Sequence, residues 1–398
     1  MASARLPSRP AKATGSTICG PFRSPRSICW RKASPERTGG GSRASLSAAF
    51  ARFAEHECRG VSPLYETLAL GVAQNAELLA LAGAARAGQP VPNLFFAGVH
   101  LLLADQAHSA DPLAQYYPDL AEPAALPTNA FPVFRRFCLT HAGEIAEIVS
   151  TRAVNTNEVG RCAVLRLGYA EIARLLPAER FALVEIGASA GLNLFWDKYY
   201  YEYDRRSAPD RVTTGDPASP VRIPCTIRGA APPLHPDDPF SKQLGRRVGI
   251  DLDPIGFDNP DDMAWLRALV WPEQRERALR LDHAIAIARV AQHGLNFSMQ
   301  QGDGVALLPA IAAELAHSEA LCVVHSFTLN QFSSEAQLSL DRALRDIAAK
   351  RAVLRLGLEW ERRSTPVLSL TQYSDSGAGR RDLARCDAHG AWVEWLAG

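Results

Sequence analysis

Phe181–Ile186 is an apolar run interrupted only by Glu185, and a turn of small residues follows at once: Gly187, Ser189 and Gly191 alternate with Ala188 and Ala190. A run this short and this apolar reads as a strand buried on both faces. The turn after it opens a helix, whose first N–H groups are unpaired donors. Strand, glycine-rich turn and helix together constrain the chain more than any other feature. They require a parallel α/β sheet with a ligand-facing edge at the strand tips.

The pattern after residue 181 repeats that alternation. Strands are predicted at Arg247–Leu252, Leu295–Gln300, Ala320–Ser326 and Ala352–Leu358. Helices are predicted over Met263–Val290 (broken near Pro272), Val305–Ala316 and Glu335–Ala349. Such alternation means βαβ units and a mostly parallel sheet. Two last strands, Pro366–Tyr373 and Leu383–Leu396, have no helix between them and predict an antiparallel hairpin closing one edge. Residues 44–180 read differently. Apolar residues recur at helical spacing in Ala48–His56, Tyr65–Ala85, Phe131–Ile148 and Arg161–Leu176, and no strand is predicted.

The expected fold is therefore α/β: a Rossmann-like domain over 181–398, preceded by an all-helical region over 44–180. Residues 1–43 carry nine basic residues and one acid, with much Ser, Pro and Gly. They read as a disordered basic tail; an organelle-targeting peptide or a nucleic-acid arm fits the same composition. The whole chain has a formal charge of +1, so no global field points to nucleic acid or membrane. The longest apolar stretch, around Leu94–Ala104, falls short of the about 20 residues a span needs. Eight cysteines without a CxxC pair read as reduced thiols in a cytoplasmic protein. No HxH or HExxH spacing occurs, and no metal site is expected.

Candidate chemistry lies at the strand tips. Glu185 is costly to bury unpaired. Asp251 closes the second strand, where an acid commonly binds ribose hydroxyls. Asp303 closes the third, placed for an adenine amino group, and His325 closes the fourth as the candidate base, imidazole being the usual side chain for that role at neutral pH. All four are expected to gather at one edge. Asp251 lies 60 residues beyond Gly191, so an insertion at about 197–245 must fill the gap. It holds Tyr199, Tyr200, Tyr201 and Tyr203, a substrate wall or a packed β-face, and an edge strand Val221–Arg228. Asn157, Glu158 and Arg161 either read a zwitterion or form a capped helix start with a surface pair. The turn also matches a hydrolase elbow with Ser189 as nucleophile, to which Asp303, His325, Asp387 or His389 would contribute. Against that, only helices precede the turn.

The arrangement resembles the S-adenosylmethionine-dependent methyltransferase fold, with Ser189 where that pattern has its middle glycine. More specifically, several blocks resemble the bacterial family known as domain of unknown function 2332. They are Ser62–Tyr65, Thr156–Arg161, Glu185–Leu194 with Trp196 and Asp197, Trp271 with Pro272, and the ending His389, Gly390, Trp392, Trp395 and Leu396. The likeness runs from about 45 to 398; that family implies no established reaction. The methyltransferase likeness implies S-adenosylmethionine held by Glu185, Gly187, Ser189, Gly191, Asn193, Asp251 and Asp303. Asn157, Glu158, Arg161 and Trp196 would face a small-molecule acceptor, with His325 as the catalytic base. A non-catalytic sensor of the same ligand is the alternative.

Overall fold

In the computed structural model the described residues are 43–177, 179–205, 211–232, 234, 239–361, 365–374 and 377–396. The basic tail lies outside them, apart from Arg43.

The first half is helical, as expected: α1 (Arg43–Phe53), α2 (Pro63–Ala73), α3 (Ala76–Ala82), α4 (Val91–Ala104), α5 (Ala130–Thr140), α6 (Ala142–Thr151) and α7 (Cys162–Leu175). The predicted helix Tyr65–Ala85 is two helices. Asn75 breaks it, because its side chain accepts the Leu78 N–H and starts α3. No stripe marks α4, since Phe95, Phe96, Val99 and Leu103 bury it on several sides. A helix apolar all round shows no periodicity to read.

The second half builds one eleven-stranded sheet. Its strands are β1 (Arg180–Ile186), β2 (Tyr200–Arg205), β3 (Val212–Gly215), β4 (Arg222–Gly229), β5 (Leu244–Asp251), β6 (Phe297–Gln301), β7 (Glu319–Ser326), β8 (Val353–Glu361), β9 (Thr365–Ser374), β10 (Gly377–Cys386) and β11 (Trp392–Trp395). The helices among them are α8 (Pro239–Gln243), α9 (Pro260–Ala268), α10 (Arg275–Ala291), α11 (Gly304–Glu314) and α12 (Ser334–Ala348). The order is β3-β2-β4-β11-β10-β9-β8-β7-β1-β5-β6, parallel from β8 to β6. From β1 the chain crosses to β5 and β6 on one side and returns to β7 on the other. The β1/β7 tips are thus the switch point where ligands of open α/β sheets bind.

Two expectations about the edges are corrected. The hairpin β9–β10 closes no edge; β8 flanks it on one side and β11 on the other. Leu383–Leu396 is not one strand, because Asp387 accepts the His389 and Ala391 N–H groups and Gly390 turns left-handed at φ 82°. The strand predicted at Val221–Arg228 is interior, as β4 pairs with β11 and β2. The insertion extends the sheet, and Tyr199, Tyr201 and Tyr203 are fully buried, so the tyrosines form a packed face.

Side chains of β1 alternate between two cores. Phe181 and Leu183 pack with α7 and α10, whereas Val184 and Ile186 pack with α11 and α12. A third core fills the helical half and takes in Trp265, Ala268 and Leu269 of α9. The Ser62–Tyr65 block and the block of Trp271 and Pro272 meet there. The Ser62 hydroxyl donates to Glu273 at 2.7 Å, the Leu64 N–H donates to the same carboxylate at 3.0 Å, and Tyr65 lies against Trp271.

The six described cysteines are free and buried. No helix among the described residues is long and apolar enough to cross a membrane.

A buried ion pair fixes the start of the insertion to the sheet. Arg247 of β5 meets Asp197 through two bonds of 2.5 and 2.8 Å and donates to the Leu194 carbonyl. Removing one partner strands a charge in the core. Asp197→Ala is expected to lower stability by about 3–5 kcal/mol in urea unfolding. Arg135→Ala, which breaks an exposed pair with Glu77, is expected to leave the midpoint nearly unchanged. Equal effects would contradict this account.

Candidate functional site

The turn after β1 needs its small residues for internal reasons. Gly187 and Gly191 have φ of 74° and 72°, and Ser189 has φ of 55°. A side chain on Gly187 would strike Thr328, and one on Gly191 would strike Met299. The left-handed backbone and these close approaches together demand glycine.

Glu185 and Asp251 converge on this turn. Glu185 is 1% exposed; its Oε1 accepts from Asn193 Nδ2 at 3.0 Å, and its Oε2 is buried without a hydrogen-bond partner. Burial pushes its carboxyl up to about 8, against the pull of Asn193 and Arg161 and with the help of Asp251. Asp251 accepts the Ser189 N–H at 2.8 Å and the Asp253 N–H at 3.0 Å. Burial raises its carboxyl too, against those two bonds.

The segment leading out of the helical half lies across the turn. The Ser189 hydroxyl donates to the Asn155 carbonyl at 2.6 Å, and the Leu192 N–H donates to Asn157 Oδ1 at 2.9 Å. A hydrolase would need a histidine at Ser189. Its hydroxyl hydrogen goes to a backbone carbonyl, and among the described residues no histidine bonds it.

The other expected tip residues have local roles of their own. Asp303 caps α11, accepting the Val305 and Ala306 N–H groups, one residue beyond Gly302, whose N–H donates to the Asp251 carbonyl at 2.8 Å. Trp196 faces no acceptor. It is fully buried between Tyr169 and Phe240, because the chain after the turn dives under the sheet. His325 alternates with Val324, which packs on the Glu185 side, so its ring faces the opposite side of the sheet.

That second side holds a well-formed dyad. His325 is 2% exposed, its Nδ1 lies 2.7 Å from Glu359 Oε1, and its Nε2 has no hydrogen-bond partner. Gly357 leaves room for the ring, since a side chain there would strike it. Glu359 also accepts the Thr328 and Leu329 N–H groups and the Asn330 amide. His325 and Glu359 line a hollow of about 520 Å³ with Asn330, Arg355, Trp360 and Arg380. Sequence reasoning missed Glu359, which reads as an ordinary residue near a strand end.

Glu158 and Arg161 fit neither sequence reading in full. Glu158 is 2% exposed, accepts the Gly160 N–H, and pairs with Arg277 and with His389 at 3.5 Å. Burial would raise its carboxyl, but Arg277 and His389 hold it well below the usual range. Arg161 donates to the Ala388 carbonyl and to Ser326 Oγ, and stacks on Phe327 at 4.4 Å. Burial lowers its guanidinium to about 10 despite Glu158. Gly160 and Gly390 meet backbone to backbone, leaving no room for a side chain on either. The Thr156–Arg161 block and the chain ending are therefore one joint. Glu158 also opens onto a groove of about 500 Å³ lined by Arg275, Arg277 and Arg280.

Glu185 carries a pH signature. Its carboxyl titrates higher folded than unfolded, so its contribution to stability is full below the ordinary glutamate range and is lost as pH rises through about 8. Between about pH 6 and about pH 9 the native melting temperature is expected to fall more than that of Glu185→Gln. Parallel melting profiles would contradict a buried neutral Glu185.

Comparison with known proteins adds the family. No curated protein matches the chain. Residues 47–395 match the family described as "Uncharacterized protein conserved in bacteria (DUF2332)". That match spans nearly all of the helical half and the sheet, and the chain belongs to the DUF2332 family.

Proposed function

We propose that the protein binds S-adenosylmethionine at the tips of β1 and β5 and is a methyltransferase acting on a small-molecule acceptor. The observation that carries this reading is the buried Glu185 carboxyl with an unpartnered oxygen, next to Asp251 at the tips of β1 and β5. An ammonium arriving there would draw the raised carboxyl to its ionised form and use its free oxygen as acceptor, and Asp251 retains unused lone pairs for a hydroxyl donor. The fit has one condition. Asn155 and Asn157 must lift from the turn, because they occupy the Ser189 hydroxyl and the Leu192 N–H.

The bound cofactor would supply an activated methyl group. The chain's part is to orient the acceptor, exclude water and take one proton. His325 suits proton removal, because Glu359 holds its Nδ1 and leaves Nε2 free to accept. The hollow of about 520 Å³ beside it lies on the sheet face opposite Glu185, so an acceptor held there would have to reach the methyl group over the strand tips, past the loop that carries Thr328. That loop reaches the turn directly, since Thr328 packs on Gly187 and is held by Glu359.

Calorimetric titration of the whole chain with S-adenosylmethionine and S-adenosylhomocysteine tests this. Saturable binding is expected. Asp251→Asn keeps an oxygen for the Ser189 N–H but gives up the charge and the oxygen that takes the Asp253 N–H, and is expected to weaken binding at least about tenfold. His325→Gln is expected to spare binding and depress turnover. Absence of saturable binding, or binding indifferent to Asp251→Asn, would overturn the reading. Binding without turnover on any acceptor class would favour a sensor.

A further inference from the structure

Far from the strand tips, the helical half brings together three groups that the sequence keeps apart. His108 lies in the turn after α4. His141 sits between α5 and α6, and Glu144 lies in the first turn of α6. The ligand atoms these residues offer all lie within 4.8 Å of one another. Glu144 spans the pair: its Oε1 is 2.9 Å from His141 Nδ1, and its Oε2 is 3.6 Å from His108 Nε2.

We propose that His108, His141 and Glu144 form a binding site for a divalent transition-metal ion, with Zn²⁺ as its natural occupant. Two imidazoles and one carboxylate suit Zn²⁺ in chemistry and number. Ligands at about 2.0–2.2 Å from a tetrahedral ion stand about 3.3–3.6 Å from one another. The two contacts, made to different Glu144 oxygens, are close to that span, so small rotations that bring one of those oxygens to the ion complete the geometry. The scaffold is firm. The buried Phe137 ring supports His141 at 4.5 Å and His108 at 6.1 Å. The imidazoles stand edge to face at 4.6 Å, so neither ring covers the other's nitrogens by stacking. The Glu144 side chain is half exposed, leaving an open side where water would fill the fourth position. Spacing motifs miss the site because His108 comes from a turn that precedes the whole of α5.

Titration of Zn²⁺ into the chelator-treated whole chain tests the proposal, with Co²⁺ absorption reporting the coordination. One site of micromolar Kd is expected, with tetrahedral Co²⁺ bands that lack a thiolate transition. His108→Ala and His141→Ala are each expected to weaken binding at least about tenfold while circular dichroism stays unchanged. Should either variant misfold, Glu144→Gln at the exposed position keeps the fold and is expected to weaken binding. The proposal is overturned by an absence of saturable binding below about 1 mM, or by binding that these substitutions leave intact.

Discussion

The carboxylate of Asp251 on the Ser189 N–H is the contact on which the arrangement turns. It locks the tip of β5 to the left-handed turn after β1. The same serine holds the Asn155 carbonyl through its hydroxyl. One residue thus joins the sheet, the turn and the segment descending from the helical half. Cutting that contact would leave the Ser189 N–H without its partner and release both neighbours. The burial of Glu185, and with it the raised carboxyl, depends on the turn staying closed.

The sequence blocks that mark the family are largely joints between distant parts. Ser62 and Leu64 meet Glu273, Gly160 meets Gly390, and Asp197 meets Arg247. Each joint satisfies a buried polar group or a close backbone approach, so packing alone accounts for those residues. Among the described residues eleven buried side-chain atoms lack a hydrogen-bond partner; Glu185 Oε2 and His325 Nε2 are the two of them carried near the tips of the parallel strands β1 and β7. They lie on opposite faces of the sheet, with the loop carrying Thr328 between them. Burying such atoms without compensation is costly, and in the proposed function a ligand would supply the missing partners.

The parallel core was legible because buried strands and long helices differ in period and length. The path at the far end was not. The hairpin β9–β10 gives no sign in its own residues that β11 and the insertion continue beyond it. That depends on Asp387 and Gly390 making a turn where alternation suggested a single strand. At the site, Glu185 and Asp251 were readable from their positions at strand tips. The side of the sheet that His325 faces was not, because a shift of one residue along a strand reverses it. Asp303 illustrates the opposite case: an acid opening a helix satisfies its own N-terminal donors first. The burial of Trp196 escapes a sequence reading, since a tryptophan just past a turn gives no hint that the chain next dives under the sheet.

Hydrogen exchange, resolved by mass spectrometry across the chain with and without S-adenosylmethionine, reaches the central claim most directly. Occupancy of the strand tips must part the Asn155–Asn157 segment from the turn. Exchange is therefore predicted to rise over 153–158 and to change over 187–193, while the far strands β2, β3 and β4 stay as they were. Unaltered exchange in both segments at saturating ligand would contradict the account.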